Sequence, residues 1–409
     1  MRKRLFGFLV LILCLLVATA SPAETDLCSQ YLRQHEYDNA IQECTRQIAG
    51  VVKTPSMVHS YLYRGIAYQS KDQFDLAIAD FDKAINMDPN YAEAYNNRGN
   101  TYMLKSQPDE AIADFGKAIT LKPKYDRAYF DRGQAYLLKK EFDKAIADYN
   151  KVIELSPDLP PAYSYEVYFY RAAAYEGLEK FDQAIADFSK AINAKPNSVI
   201  AYDHRGEAYL MQGQNVTVIL GVSQEALEKF DQGIADFNKA IELNPNFEKA
   251  YADRGTGYML KGQKDKAIAD YSKVIELNPK NLEAYNNRAR AFESQQQFDP
   301  AIADYSKIIE IDPKNSRAYF YRGVAYSITN KLDRAIADFK KTTDLNPKEK
   351  SAYYNLACIY ATKNNVEESC AWLEKAVVNG YDKWDNMKKD PDLANIHDSA
   401  CYQKITKDK

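Results

Sequence analysis

Small and aromatic side chains recur along the chain at spacings of three and four residues, with charged positions between them. In one segment Tyr95, Gly99 and Tyr102 are spaced four and three residues apart, and Ala111 and Phe115 are four apart. Residues at these spacings lie on one face of an α-helix. The pattern therefore predicts two helices joined by a turn, whose small residues let the backbones approach while the aromatic rings fill the space around the contact.

This helix-pair pattern repeats with a fixed period, which prolines mark. Proline cannot continue the hydrogen-bond ladder of a helix, so each one is expected to follow the end of a second helix. Five of the seven intervals between them are 34 residues, and the other two are longer by 5 and 15 residues. Neither helix can bury its face alone, so the units are expected to stack. The prolines are Pro89, Pro123, Pro157, Pro196, Pro245, Pro279, Pro313 and Pro347.

These residues resemble the tetratricopeptide repeat family. The family pattern is an aromatic, a small residue, an aromatic, Ala, an aromatic, Ala and Pro. The resemblance covers roughly residues 57–380 and implies an all-α, right-handed α-solenoid of stacked helix-turn-helix repeats with terminal caps. Tyr replaces the usual Trp at the first position, and Arg replaces Leu before the small residue. One copy of the pattern reads Tyr95, Gly99, Tyr102, Ala111, Phe115, Ala118 and Pro123.

The pattern divides the chain into four segments. A degenerate front unit, in which cysteines take two of the repeat positions, is expected to cap the array, and a second cap is expected after the last repeat. The segments are a signal peptide (1–23), a degenerate N-terminal capping repeat (24–56), about nine tetratricopeptide repeats (57–380) and a C-terminal capping segment (381–409).

The first residues have the order of a secretory signal. Positive charges at 2–4 precede a 14-residue apolar run at 5–18, and an Ala-x-Ala site ends at Ala20. We expect cleavage after Ala20 or Ala23 and hence a periplasmic or secreted protein. The alternative is an uncleaved N-terminal helix that anchors the chain to a membrane, although the run is shorter than the ~20 residues of a spanning helix.

Two insertions interrupt the period, near 158–165 and near 215–229. The first precedes a Tyr-rich helix and is expected to lengthen it. The second contains an apolar run at 216–222 that we expect between two helices. This run either folds back onto its neighbours or forms a loop that faces a partner or a membrane. Ser223 is a candidate N-cap for an early start of the next helix.

The chain of 409 residues carries 54 Lys and Arg against 57 Asp and Glu, a net charge of −3, which excludes a strongly basic nucleic-acid binder. An Arg column and an Asp column recur with the repeat. Because the two columns match in number and period, we predict a ladder of ion pairs rather than a basic stripe. The columns are Arg64, Arg98, Arg132, Arg171, Arg205, Arg254, Arg288 and Arg322, and Asp80, Asp114, Asp148, Asp187, Asp236, Asp270, Asp304 and Asp338.

The cysteines fit an oxidising compartment. Cys28 and Cys44 occupy facing columns of the front helix pair, so a disulfide is expected to staple this cap. The alternative is two small buried residues. Cys358, Cys370 and Cys401 allow one bridge, and the sequence leaves its pairing open.

Motifs of catalysis and metal binding are missing from the sequence. The four His are far apart and have no metal-ligand spacing, and no phosphate-binding loop or G-x-S-x-G motif occurs. We therefore predict a protein that is not an enzyme and that needs no cofactor or metal.

The resemblance implies that the first helix of each repeat lines a concave groove, where two columns contact ligands. One column is the residue directly after the first Tyr of each repeat, and the other is the residue four positions further on. Both vary between repeats, whereas the packing columns do not, which favours ligand contact over the alternative of solvated positions without a ligand. The candidate ligand-binding residues are Asn96, Asn100, Phe130, Gln134, Phe169, Glu207, Asn286, Arg290, Phe320 and Tyr354.

These positions mix amides, aromatic rings and a few charges, which suits an extended peptide. The sequence thus predicts an exported scaffold that binds a peptide or protein partner, with no nucleic acid and no small-molecule cofactor. A membrane is involved only if the N-terminal segment stays uncleaved. The alternatives are a membrane-anchored factor for envelope assembly or trafficking and a solenoid that binds glycan or cell-wall material.

Overall fold

The computed structural model describes residues 27–50, 55–220 and 223–407, and over these ranges it contains helices and no strand. The predicted signal peptide at 1–23 lies outside the described residues. No helix in the described ranges has both the length and the apolar character needed to cross a membrane. The described residues divide into two compact units, the first ending at Ala201 and the second beginning at Tyr202.

The first unit holds a short front pair and four longer helix pairs, in which consecutive helices pack against each other. Its helices are α1 (Leu27–Arg33), α2 (Tyr37–Ile48), α3 (Pro55–Ser70), α4 (Phe74–Met87), α5 (Ala92–Leu104), α6 (Pro108–Leu121), α7 (Asp126–Leu138), α8 (Phe142–Leu155), α9 (Pro161–Gly177) and α10 (Phe181–Ala194).

The second unit holds five helix pairs and a short terminal group. The predicted fold class, an all-α solenoid of stacked helix pairs, is confirmed. The helices are α11 (Val199–Leu220, which begins in the first unit), α12 (Gln224–Leu243), α13 (Glu248–Leu260), α14 (Lys264–Leu277), α15 (Leu282–Ser294), α16 (Phe298–Ile311), α17 (Ser316–Ile328), α18 (Leu332–Leu345), α19 (Lys350–Thr362), α20 (Val366–Val378), α21 (Trp384–Lys389), a 3-10 helix (Pro391–Ile396) and α22 (Ala400–Thr406).

A glycine and an aromatic ring set the distance between the two helices of a pair. Phe115 of α6 is fully buried, and a Cβ placed on Gly99 of α5 would lie 2.7 Å from its Cε1. Gly133 meets Tyr149 in the next pair in the same way, at 2.9 Å. The small residue is therefore needed because the ring fills the space where a larger side chain would stand.

In nine of the described turns within helix pairs, one residue lies in the left-handed backbone region. In the turn from α7 to α8 this residue is Lys140, with φ of 62°. The amide of Lys140 donates to the carbonyl of Leu137 (2.9 Å), and that of Glu141 donates to Tyr136 (2.8 Å), which is the hydrogen-bond pattern of a Schellman helix end. Gly262 takes the same place in the turn after α13, with φ of 71°.

The predicted ladder of Arg–Asp pairs is confirmed. Arg98 Nε and Nη2 each lie 2.7 Å from a carboxylate oxygen of Asp114, and Nη1 donates to Asp82 of the preceding repeat at 2.5 Å. The column aspartates are 3–6% exposed, so the ladder is an internal element rather than a basic surface. The pairs are Arg64–Asp80, Arg98–Asp114, Arg132–Asp148, Arg171–Asp187, Arg205–Asp236, Arg254–Asp270, Arg288–Asp304 and Arg322–Asp338.

The 15-residue insertion lengthens a helix pair, and the expected apolar run between helices is wrong for residues 216–220, which continue α11. A Cβ on Gly206 would lie 2.7 Å from Phe237, and one on Gly213 would lie 2.6 Å from Phe230. Gly213 lies seven residues after Gly206, and Phe230 lies seven residues before Phe237, which is about two helical turns in each case. The extension therefore repeats the glycine–aromatic contact that the helix pair already makes. Ser223 caps α12 as predicted, because its Oγ accepts from Ala226 N at 3.2 Å.

The shorter insertion precedes α9, which has 17 residues and begins at Pro161. The two preceding first helices, α5 and α7, each have 13. Proline is suited to the first turn of a helix, where its missing N–H would have no partner in any case. The insertion therefore lies in and before the first turn of a longer helix.

Disulfides occur at both ends of the described chain. Cys28 is bonded to Cys44 between α1 and α2, with Cα atoms 5.4 Å apart. Cys370 is bonded to Cys401, with Cα atoms 6.1 Å apart, and ties α20 to α22. Cys358 remains a buried thiol. The pairing that the sequence left open is therefore Cys370 with Cys401.

Candidate functional site

Two candidate residues of the first unit meet a carboxylate on the next repeat. The side-chain amides of Asn96 and Asn100 on α5 both donate to Oδ2 of Asp131 on α7, each at 3.1 Å. Asp131 is 2% exposed, and its Oδ1 is 3.0 Å from Nε of Arg127. The two variable columns of one repeat thus contact the first helix of the following repeat.

The same arrangement recurs in the second unit with different chemistry. Lys249 of α13 lies among three carboxylates: its Nζ is 2.9 Å from Glu207 and 2.8 Å from Asp253, and it also donates to Asp203. Asp203 is 1% exposed. His204 Nδ1 lies 3.6 Å from Glu207. Lys249 and its three carboxylates therefore form a charged cluster where the first unit has a cluster of amides with one ion pair.

The two clusters occupy equivalent positions of the repeat. The first residue of each cluster comes directly after the first Tyr of its repeat, and the second lies four residues further on. The third comes directly before the Arg of the Arg–Asp ladder in the next repeat, and the fourth lies four residues before the third. The equivalent pairs are Asn96 and Asp203, Asn100 and Glu207, Asp131 and Asp253, and Arg127 and Lys249.

Burial controls the protonation equilibria of the charged cluster. It raises the pKa of Asp203 and of Asp253, because the ionised forms lose water, although the nearby Lys249 charge opposes this effect. For Lys249, burial alone would lower the pKa, but the charges of Asp203, Asp253 and Glu207 outweigh it and raise the pKa. The cluster therefore favours the protonated, charged form of Lys249. At Asp203 and Asp253 it favours the protonated, neutral form more than water does.

Phe130 and Phe169 are aromatic contacts between helices. Phe130 is 1% exposed, and its ring centroid lies 5.3 Å from that of Tyr163 and 5.9 Å from that of Tyr170. Phe169 is stacked on Tyr165 at 5.6 Å and is partly exposed. Of these two candidates, Phe169 is therefore the one that retains an accessible surface.

Phe320 lines an open cavity of about 260 Å³ in the second unit. The cavity lies between the N-terminal ends of α17 and α19 and the C-terminal end of α18, and its wall combines two aromatic rings with one Arg and one Glu. A pocket of this kind suits a side chain with an apolar body and a polar end. The lining residues are Ser316, Arg317, Phe320, Tyr321, Thr342, Asn346, Glu349 and Ser351.

Tyr354 serves the C-terminal cap. It is buried, its hydroxyl donates to Asp390 at 2.6 Å, and its ring is stacked on Tyr381 at 4.2 Å between centroids. Burial raises its pKa, as does the carboxylate of Asp390. A ligand at Tyr354 would have to replace these contacts.

The other three candidates are open to solvent to different degrees. Gln134 on α7 and Asn286 on α15 are partly exposed, and Arg290 on α15 is exposed. Their side chains are accessible to a partner without rearrangement of the helix pairs.

The candidate residues predicted from the sequence left out five members of the two clusters: Arg127, Asp131, Asp203, Lys249 and Asp253. A signal was present, because each cluster contains a basic residue four positions before an Asp on one helix, the spacing of an ion pair. What the sequence did not indicate is that these pairs face the variable columns of the preceding repeat.

Two clusters of the second unit bring together side chains that ligate metals. Carboxylate oxygens of Asp203, Glu207 and Asp253 lie within 4.8 Å of one another, but the ammonium of Lys249 stands among them. In the other cluster, Asp390 accepts from the Cys358 thiol (3.8 Å) and from the Asp392 backbone amide (3.0 Å). Burial raises the pKa of Cys358, so in this structure the sulfur is held as a thiol.

Family comparison accounts for most of the array. Models described as "Tetratricopeptide repeat" match residues 92–125, 126–159, 165–198, 218–247, 282–315, 305–337 and 322–383, and one described as "TPR repeat" matches 65–106 and 255–296. The chain belongs to the tetratricopeptide repeat family. A search of curated proteins finds no match to this tetratricopeptide repeat protein.

Solved structures of other repeat proteins resemble this tetratricopeptide repeat chain. YrrB, a TPR protein described with an unusual peptide-binding site, is 20% identical, with a TM-score of 0.41 over 50% of this chain and 95% of YrrB. A tetratricopeptide repeat protein from Parabacteroides merdae is 15% identical, with a TM-score of 0.44 over 65% of this chain and 96% of its own. MamA is 26% identical, with a TM-score of 0.37 over 44% and 96%.

Proposed function

We propose that this tetratricopeptide repeat protein is a non-enzymatic scaffold that binds a polypeptide partner along the first helices of its repeats. The observation that carries the proposal is the contrast between columns within one chain. The packing columns keep small and aromatic residues throughout the eight clear repeats, whereas the columns of Asn96 and Asn100 include amides, aromatic rings and carboxylates. Positions whose chemistry differs from repeat to repeat suit recognition of a partner whose own residues differ along its length.

The accessible positions give the binding surface its chemistry. Gln134 and Arg290 offer hydrogen-bond donors, and the cavity at Phe320 offers aromatic rings beside polar and charged side chains. An extended segment of a partner would place successive side chains against successive first helices. The proposal therefore concerns a peptide or an extended region of a protein rather than a small molecule.

Capture of a partner by the purified protein tests this function. Extracts of the organism that produces the protein are passed over the immobilised wild-type chain and over variants. We expect that Gln134→Ala and Arg290→Ala each reduce capture of the same polypeptide, because both side chains are accessible and neither is buried in a helix contact. The control is Lys117→Ala, on the exposed face of the second helix α6, which should keep full capture. Equal capture by all variants would contradict the proposal.

The proposed site of action is outside the cytoplasm, in the periplasm or as a secreted protein. The order of charged, apolar and small residues at 1–23 supports export, and so do the Cys28–Cys44 and Cys370–Cys401 disulfides, since disulfides persist in oxidising compartments. N-terminal sequencing of the protein from its host should give a start at Ser21 or Glu24. A start at Met1, with recovery in the membrane fraction, would support instead a membrane-anchored assembly or trafficking factor.

A third function, the binding of glycan or cell-wall material, draws on the aromatic side chains of α9, among them the partly exposed Phe169. Sedimentation of the purified protein with cell-wall material tests it. Binding that survives both Gln134→Ala and Arg290→Ala would favour this function over the polypeptide scaffold.

A further inference from the structure

The charged cluster of α11 and α13 carries more negative than positive charge. Three carboxylates, those of Asp203, Glu207 and Asp253, surround the single ammonium of Lys249. The equivalent cluster of the first unit is balanced, since Arg127 faces Asp131 and the other two members are neutral amides. The cluster of the second unit thus has a formal excess of two negative charges, which its counterpart in the first unit lacks.

One oxygen of this cluster has no hydrogen-bond partner among the described residues. Asp203 is 1% exposed, and its Oδ1 is buried and unpaired, whereas its Oδ2 accepts from Lys249. A buried carboxylate oxygen without a donor is costly to the protein. Such an oxygen marks a position where a donor from another molecule would be stabilised.

Lys249 cannot supply the missing donor. An ammonium has three N–H groups, and Lys249 already contacts three carboxylates. A guanidinium has five N–H donors in a planar fork that fits carboxylates in pairs. The acceptors of this cluster therefore suit a guanidinium better than the ammonium that now occupies it.

Lys249 can leave the cluster without unfolding a helix. Its side chain is 42% exposed, whereas those of Asp203 and Asp253 are 1% and 16% exposed. The aliphatic stem of lysine has four carbons that rotate freely. The route by which Lys249 reaches solvent is thus also a route by which another cation enters.

We propose that an arginine side chain of a partner polypeptide binds this cluster in place of Lys249 and donates to Asp203, Glu207 and Asp253. This inference rests on the proposed scaffold function and names one feature of its partner. Lys249 acts as an internal occupant that keeps the carboxylates paired until the partner arrives. The partner's arginine replaces one cation with another that satisfies more of the acceptors.

A ligand titration of the full chain tests the inference. The probe is N-acetyl-arginine methylamide, and its control is the citrulline analogue, which has nearly the same shape but no charge. Saturation-transfer NMR reports the binding of each. We expect the arginine probe to bind at least tenfold more tightly than the citrulline analogue. Equal binding of the two would overturn the proposal.

Four variants place the probe at this cluster. Lys249→Met removes the internal competitor and should tighten binding of the arginine probe at least fivefold. Lys249→Arg supplies an internal guanidinium and should abolish binding while the cluster stays paired. Glu207→Gln should weaken binding at least fivefold, and Glu374→Gln, the same change of charge at an exposed position of α20, should leave it unchanged. Binding that is unaffected by Lys249→Arg, or weakened equally by Glu374→Gln, would contradict the proposal, and the Lys249→Arg result stands even if Lys249→Met fails to fold.

Failure of this inference can be told apart from failure of the scaffold function. Gln134 lies in the first unit and Arg290 on α15, and neither belongs to the cluster. If the probe does not bind but Gln134→Ala and Arg290→Ala still reduce capture of a partner, only the arginine site is wrong. If those variants capture normally as well, the scaffold function is wrong too.

Discussion

Arg132 donates two hydrogen bonds to Asp148, with Nε 2.8 Å from Oδ2 and Nη2 2.7 Å from Oδ1. The side chain of Asp148 is 6% exposed and that of Arg132 is 22% exposed. Burial raises the pKa of Asp148 even though the Arg132 guanidinium opposes this effect. The ion pair thus does not fully recover the cost of removing the carboxylate from water, which is common for buried pairs.

Breaking this pair should therefore cost more than replacing it. We expect Asp148→Asn to lower the free energy of unfolding by about 2–4 kcal/mol, because it leaves the guanidinium without its carboxylate. The double variant Arg132→Met, Asp148→Leu should lose less than the single variant. Urea unfolding followed by circular dichroism measures both. Asp143→Asn, at a carboxylate that is 81% exposed, serves as control and should change little, and a double variant worse than Asp148→Asn would contradict the account.

The contact between Gly99 and Phe115 predicts opposite effects for two glycine substitutions. Gly99→Ala places a Cβ 2.7 Å from the Phe115 ring, so the helices must separate, and we expect a loss of about 1–3 kcal/mol. At Gly116 in α6 a Cβ would meet only Arg132 Nη1, at 3.9 Å. Gly116→Ala should gain up to about 1 kcal/mol from helix propensity. Thermal unfolding should show a lower melting temperature for Gly99→Ala and a higher one for Gly116→Ala. A Gly99→Ala protein as stable as wild type would show that the two helices tolerate a wider spacing.

The left-handed residue in the turn from α7 to α8 predicts a stabilising substitution. Lys140 has φ of 62°, a conformation that costs a non-glycine residue about 1 kcal/mol or more. Lys140→Gly should raise the free energy of unfolding by up to about 1 kcal/mol, because relief of this strain exceeds the added entropy of the unfolded chain. The same change at the exposed helix position Lys117 should cost about 1 kcal/mol. Chemical denaturation measures both free energies of unfolding. If Lys140→Gly and Lys117→Gly changed the free energy of unfolding in the same direction, this explanation of the turn would be refuted.

The charged cluster predicts a dependence of stability on pH. Burial raises the pKa of Asp253 in the folded chain above its unfolded value. Its contribution to stability is then complete below the unfolded pKa and is lost as the pH rises through the folded pKa. The amide of an asparagine does not titrate, so Asp253→Asn should become more stable relative to wild type as the pH rises from about 4 to 7, by at most ~1.4 kcal/mol per pH unit. Urea unfolding at half-unit steps of pH measures the difference, and a difference that falls with rising pH would be inconsistent with the assignment.

The repeat columns made the fold predictable from sequence, because their constraints are local. Gly99 and Phe115 lie 16 residues apart within one helix pair, and Arg98 reaches Asp114 over the same distance. Each contact recurs in the other repeats, so a contact inferred for one repeat is expected at the same positions of the others. The extension of α11 was less predictable, since an apolar run such as 216–220 is compatible with a loop or a helix until the added Gly213–Phe230 contact is known.

The candidate site was less predictable than the fold. Variation in the columns of Asn96 and Asn100 indicates freedom from the packing inside a helix pair, but it does not show what the side chains face. Both amides reach Asp131 on the next repeat, and Tyr354 reaches Asp390 beyond the last repeat. These contacts depend on how adjacent repeats are rotated, which a single column of residues does not encode.

Site-specific photo-crosslinking shows directly whether a polypeptide binds along the first helices. A photoreactive amino acid is introduced at Gln134 or Arg290 on first helices and, as controls, at Lys117 or Glu374 on the exposed faces of second helices. After irradiation in the native host, we expect one crosslinked polypeptide shared by the two first-helix positions and missing from both controls. Crosslinks of equal yield at all four positions, or at the second helices alone, would contradict it.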